Sequence, residues 1–227
     1  MKVMIALAGA DHDVLLARGP ALGALGVTAA QVNLDDAPVA GALRFPGPGT
    51  PEPGWNAIVS LTWPQPPAEE VLAVALASVS ATAAHHAAWE VEERAPLSPA
   101  PTVPGERLDA LANLALLRRP VDLPEAEWRQ RWQVDHTPVA IATQGTSGYL
   151  QNRVLRPLTA QAPAVAALVE EHFPMAALTD VHAFYGSGGD DAELASRIER
   201  LMASCARFGA DRDLDLVPTS RYLLPLA

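Results

Sequence analysis

Cysteine is almost missing from these 227 residues: Cys205 stands alone. No disulfide forms within the chain, and no multi-cysteine metal site can be built. Such a sequence fits a reducing cytoplasm. Cys205 lies in an apolar-periodic helix and reads as a buried thiol rather than a nucleophile. Lysine is equally scarce. Lys2 is the only one, and every other cation is arginine. That excludes an internal Schiff-base lysine, a pyridoxal phosphate linkage and a P-loop. Positive charge is short overall. The formal net charge of -10 argues against nucleic acid as a partner and against a polybasic membrane anchor. No apolar run is long enough to cross a bilayer, and the opening MKVMIALAGADHD reads as a first strand rather than a signal peptide. There is no HExxH, and His85 and His86, adjacent on a strand, point to opposite sides, so no metal site is expected. A haem needs only one histidine, but no pattern asks for one, and no cofactor is expected.

What is present is apolar material for a core: hydrophobic residues make up 49% and charged residues 19%. A stiff Pro-rich stretch, Ala95–Arg107, lies near the midpoint. It predicts two domains, residues 1–97 and 108–227, joined by a linker at 98–107. The first half reads as strand Lys2–Ala8, a helix over Asp13–Leu25 interrupted at Gly19-Pro20, and strand Val27–Leu34. An irregular loop Ala40–Gly54, strand Trp55–Trp63, helix Ala68–Ala84 and strand Ala87–Ala95 follow. The second half reads as strand Leu111–Leu117, then a helix opened by the capping box Asp122-Leu-Pro-Glu125 and ended near Thr137 by Pro138. Next come strand Gly148–Leu158, a short helix Ala164–Phe173, strand Leu178–Tyr185, helix Asp191–Phe208 closed by Gly209, and strand Arg221–Leu226. The order βαββαβ, met twice, predicts an α+β fold of tandem ferredoxin-like repeats. Val27–Leu34 and Trp55–Trp63 are apolar on both faces, so each sheet needs a cover. The other half of the chain is the simplest one, which predicts a dimer-like α/β-barrel made by one polypeptide.

Trp128, Trp132 and His136 recur every fourth residue and share one helix face. They set a titratable imidazole beside two large aromatics. This segment continues into Tyr149-Leu-Gln-Asn152-Arg153. Tyr149, Gln151 and Arg153 share one strand face, and Leu150, Asn152 and Val154 the other. Farther on, His182 and Phe184 share a face with Tyr185 opposite. The glycine runs Gly186–Gly189 and Gly145–Gly148 read as turns, since Asp190 and Asp191 would repel a phosphate and the GxSxG spacing is absent.

Arg118-Arg119-Pro120, Pro124-Glu125, Trp128, Trp132, His136-Thr137-Pro138 and Tyr149–Arg153 together resemble the EthD family of the dimeric α/β-barrel superfamily. Pro218–Tyr222 is similar to that family's last strand. Two positions depart from the family pattern: Asp135 stands where a second histidine is frequent, and Arg131 where an aromatic is frequent. The resemblance implies a barrel fold and a small-molecule ligand, and it allows a homodimer of the fused pair. It implies cofactor-independent acid–base chemistry on a small hydrophobic compound, aromatic or polyketide-like, of the lyase, isomerase or monooxygenase kind. His136 and His182 are the candidate proton-transfer groups, and Trp132, Tyr149, Asn152 and Tyr185 the candidate substrate contacts. The alternative is a non-catalytic binding or scaffold protein, which an acidic, alanine-rich chain serves equally well.

Overall fold

A computed structural model of the chain describes residues 1–227. Its centre is a closed barrel of eight strands in the order β1-β3-β2-β8-β5-β7-β6-β4. The first half contributes β1 (Lys2–Ala8), β2 (Ala29–Leu34), β3 (Ala57–Thr62) and β4 (His85–Leu97), with helices α1 (His12–Leu16), α2 (Gly19–Gly23) and α3 (Glu69–Ser80). The second contributes β5 (Leu111–Leu117), β6 (Gly148–Pro157), β7 (Ala167–Phe173) and β8 (Asp215–Leu223). Its helices are α4 (Glu125–Arg129), α5 (Thr137–Thr143), α6 (Val181–Tyr185) and α7 (Asp191–Ala206). All neighbouring strands are antiparallel, and two seams join the halves: β2 with β8, where Val32 faces Tyr222, and β4 with β6, where Val91 faces Val154. The faces that needed a cover therefore line the inside of one barrel. No helix is long and apolar enough to cross a membrane.

Period-2 alternation sorts the side chains. Inward residues toward one end of the barrel are apolar: Met4, Ala6, Ile58, Trp89, Leu114, Leu168 and Val217. Toward the other end they are polar: Gln31, Asn33, Glu170, His172 and Arg221, all buried. Outward residues meet the helices in two separate layers. Leu15, Leu22, Trp63 and Val79 fill the layer of the first half, and Trp128, Trp132, Tyr149, Leu201 and Phe208 belong to that of the second. The Pro/Gly-rich loop over residues 40–54 crosses one barrel end. Asp215 ties it down by accepting from Gly47 N at 2.9 Å and from the Thr50 hydroxyl, and by pairing with Arg118 at 2.9 Å.

Four expectations need correction. Ala164–Phe173 is not a helix. Its alanines favour one, but Ala167–Phe173 is strand β7, hydrogen-bonded between β5 and β6. Tertiary pairing overrides local propensity there. Leu178–Tyr185 is not a strand. Met175–Leu178 forms a 3-10 turn and Val181–Tyr185 forms α6. The Asp180 side chain caps α6 by accepting from His182 N at 2.8 Å, and Gly186 ends it at φ 63°. His182 therefore sits on a short helix.

The helix through His136 does not stop at Pro138. It passes through a π-helical stretch, Gln130–His136, into α5. Pro138 lies in the first turn of α5, where its missing N–H is tolerated. The Thr137 hydroxyl donates to the Gln133 carbonyl at 2.9 Å, satisfying one of the carbonyls the irregular stretch leaves. Last, β8 starts at Asp215 rather than Arg221, and Pro218 stands inside it in register with Asn113.

Helix α7 carries one wall of the layer described next, and its start is well made. Asp190 accepts from Ala192 N at 2.8 Å and Glu193 N at 3.0 Å. Asp190→Ala is expected to lower stability by about 1 kcal/mol, measured as a shift of the urea midpoint with unchanged slope. No shift would mean that the cap is idle.

Candidate active site

Between the sheet of the second half and its helices lies a cavity of about 140 Å³. Its walls are mostly apolar: Ala115, Leu117, Val169, Leu201, Phe208 and Leu214 take part. Five further lining residues carry polar or titratable groups. They are His136, Gln144, Tyr149, Glu171 and Cys205, with Trp132 beside them. Each arrives from a different place. Trp132 and His136 come from the π-helical stretch, which turns both to the same side although the helix is not regular; such stretches are frequent at functional sites. Tyr149 comes from β6, Glu171 from β7 and Cys205 from α7.

His136 is 6% exposed. Its Nδ1 lies 2.9 Å from the Ser204 hydroxyl, and its ring centroid is 4.8 Å from that of Phe208. Burial lowers its pKa to about 4, so the imidazole is neutral at ordinary pH. Glu171 moves the other way. It makes no ion pair, and burial raises its carboxyl to about 7, with a Gln144 hydrogen bond pulling it down. With its amide nitrogen turned to Glu171, Gln144 donates to Oε1 at 3.0 Å. Burial, and then the Glu171 charge, raise the Tyr149 hydroxyl above its usual range. Burial, Glu171 and Asp211 push the Cys205 thiol up to about 12. That thiol stays protonated and is a poor nucleophile.

The strand β7 separates two neighbouring carboxylates completely. Glu170 points into the barrel and Glu171 into the cavity. Burial would raise Glu170 as well, but a hydrogen bond with His172 at 2.7 Å and the charge of Arg221 at 3.1 Å hold it well below the usual range. One carboxylate is locked as an anion; the other is poised to exchange a proton near neutrality.

Of the residues expected from the sequence, the structure brings His136, Trp132 and Tyr149 together. The others lie elsewhere. Asn152 faces the barrel interior, where it accepts from Lys2 Nζ at 2.8 Å and donates to the Leu168 carbonyl at 3.2 Å. It therefore does not share a site with Tyr149. Tyr185 packs against the same cluster without lining the cavity. His182 is turned to the Ser187 hydroxyl at 2.7 Å and to Asp191 at 3.4 Å, away from His136. Asp135 serves Arg207, at 2.8 Å, rather than the imidazole. Glu171, Gln144 and Ser204 were not singled out. A helical period over this segment gives Glu171 no defined sheet face. Read as a strand, LVEEHF alternates Leu168, Glu170, His172 against Val169, Glu171, Phe173, which puts one glutamate on each face of a buried strand.

No group of three His, Cys, Asp or Glu side chains is close enough to hold a metal ion. A 140 Å³ space is about the size of a cavity that takes benzene.

No protein family's pattern matches the chain, and no curated protein is similar enough to match. Solved structures do share its architecture. One, described as "Crystal structure study of anthrone oxidase-like protein", superposes with a TM-score of 0.52 at 8% identity, covering 96% of this chain and 90% of that one. At so low an identity the likeness speaks for the fold alone: an α+β protein built on an eight-stranded antiparallel barrel.

Proposed function

We propose that the cavity is the active site of a cofactor-independent enzyme that moves a proton on a small hydrophobic compound. One observation carries this reading. A carboxyl with a pKa of about 7 and an imidazole kept neutral line the same mostly apolar space. Above neutrality Glu171 is a desolvated base, stronger than an exposed carboxylate, and below it the same group is an acid. The Ser204 hydroxyl holds one ring nitrogen of His136 and leaves the other to give or take a proton. The size of the space selects the substrate. It suits one ring, aromatic or lactone-like. The three fused rings of an anthrone, the compound class in the structural neighbour's description, exceed it. A scaffold would have no use for an ionisable group left without an ionic partner in such a place.

The two halves are proposed to be copies of one βαββαβ unit, residues 1–97 and 108–227, joined by 98–107, with an EthD-like second half. Each half contributes four consecutive strands to the barrel, in the order β4-β1-β3-β2 and β8-β5-β7-β6, which is the same order twice. The first half completes the barrel, and the layer beneath its helices is filled by Leu15, Leu22 and Val79 instead of chemistry.

The test begins with a thermal-shift screen of one-ring phenols, lactones and quinones, because a bound ligand raises apparent stability. Solvent deuterium exchange into each binder then reads the proton transfer. His136→Ala is expected to slow exchange by about 100-fold or more. Exchange that runs unchanged in both His136→Ala and Glu171→Gln would remove the assignment.

A further inference from the structure

We propose that the ligand of this cavity is a small organic ammonium ion, held by the Glu171 carboxylate within an aromatic wall. The inference rests on reading the cavity as a ligand site, and it names the charge class of what enters.

The barrel's buried carboxylates make the contrast. Glu170 has Arg221 at 3.1 Å, and Asp215 has Arg118 at 2.9 Å. Glu171 has no arginine, lysine or histidine partner. Of the arginines next to lining residues, Arg200, beside Leu201, is exposed on the helix surface, and the other three are paired elsewhere. Arg118, next to Leu117, pairs with Asp215; Arg131, next to Trp132, pairs with Glu127; Arg207, next to Phe208, pairs with Asp135. Glu171 is half-buried, and a carboxylate so largely desolvated and without a cation favours holding a proton or receiving a cation from outside. The other titratable groups around it add no positive charge. His136 is kept neutral by burial, and Tyr149, Tyr185 and Cys205 are pushed toward their protonated, uncharged forms. The only formal charge that can face the space is therefore negative. Trp132, Tyr149 and Phe208 supply aromatic walls, and an ammonium group against such rings is attracted by their quadrupoles, more so when desolvated. The chain's formal charge of -10 favours approach of a cation and disfavours an anion. A benzene-sized space leaves room for one ring or a compact alkyl group attached to the nitrogen.

Three ring compounds of matched size test this by calorimetry: benzylammonium, benzyl alcohol and benzoate. Benzylammonium is expected to bind at pH 8 and to weaken by up to about 30-fold at pH 5.5, as a carboxyl with a pKa near 7 gains its proton. Benzyl alcohol should bind more weakly than benzylammonium at pH 8 and show little pH dependence. Benzoate should not bind. In Glu171→Gln the preference for benzylammonium over benzyl alcohol should vanish while benzyl alcohol is still bound, which separates loss of charge recognition from loss of fold. Equal binding of benzylammonium and benzyl alcohol to the wild type at pH 8, or binding of benzoate, overturns the proposal. The catalytic reading fails separately. Ammonium binding without proton transfer on any ring compound leaves the charge preference standing and removes the enzyme. Proton transfer on neutral rings with no ammonium preference does the reverse.

Discussion

Glu171→Gln is expected to make the protein more stable above neutral pH and to slow the proposed proton transfer in the cavity sharply. Both effects have the same origin. The carboxyl is raised to about 7 by burial, so ionising it inside the fold costs more than ionising it in the unfolded chain. Each pKa unit is worth about 1.4 kcal/mol. With allowance for the residue's remaining solvent contact, glutamine should gain about 1–3 kcal/mol at pH 8.5. The amide keeps the size and the hydrogen bond to Gln144 but cannot accept a proton, so turnover should fall by roughly 100- to 10,000-fold. Denaturation at pH 8.5 checks the first effect and deuterium exchange the second. A variant less stable than wild type at pH 8.5 would show that the carboxylate has a cationic partner.

The pH profile of stability gives a sharper form of the same expectation. Glu171 has a folded pKa above its unfolded one, so its favourable contribution belongs to acid pH and is lost as pH rises from about 4.5 to about 7. His136 has a folded pKa of about 4 against an unfolded 6.5. The unfolded chain binds the extra proton in that window, so its effect is a rise in stability from about pH 4 to about 6.5. In wild type the two slopes oppose each other over most of the range. In Glu171→Gln only the histidine slope remains, and stability should climb to about pH 6.5 and then level. In His136→Ala the opposite slope should appear alone. Profiles of the two variants that run parallel would deny that either group titrates inside the fold.

Strong local pattern made most of the barrel legible. Lys2–Ala8 and Leu111–Leu117 have the strand bounds that their apolar runs suggest, and the two-faced hydrophobicity of Val27–Leu34 and Trp55–Trp63 announced a closed interior. The Trp132–His136 stripe led to the cavity. What failed did so where local chemistry and tertiary context disagree. Alanines at 164, 166 and 167 outweighed the alternation in Leu168–Phe173, and only pairing with β5 and β6 on both sides resolves it. Val181–Tyr185 has strand-like composition, but Asp180 and Gly186 bracket it with helix-end signals that prevail over it. The cost of the first error was Glu171, because a residue's face cannot be assigned before its period is known. Asn152 shows the limit from the other side. Strand alternation puts it on the face opposite Tyr149, so the two lie on different sides of the sheet and cannot share a site.

Glu170→Ala should be the most destabilising single change in the barrel interior. The carboxylate is 1% exposed and accepts from Gln31 Nε2 at 2.8 Å, Asn33 Nδ2 at 3.3 Å and Arg221 Nη1 at 3.1 Å, with His172 Nε2 at 2.7 Å. It gathers β2, β7 and β8, and the β2–β8 seam is one of the two strand seams that join the halves of the chain. Alanine would leave the Arg221 guanidinium buried without a counter-charge, and removing one partner of such a pair costs about 3–5 kcal/mol. Glutamine should cost less, since it still accepts one or two of these bonds. Replacing both Glu170 and Arg221 with leucine should recover much of the loss, because two apolar side chains leave no charge to satisfy. High salt should not mimic the mutation, as the pair is out of reach of screening ions. The folded pKa lies below the unfolded one, so this contribution is present above about pH 4.5 and disappears as acid protonates the native carboxylate. Urea denaturation of the single and double variants at pH 7 decides the matter. A loss below about 1 kcal/mol for alanine, or a double variant less stable than the single, would mean that the network is dispensable and that apolar packing at the other end of the barrel holds the seam alone.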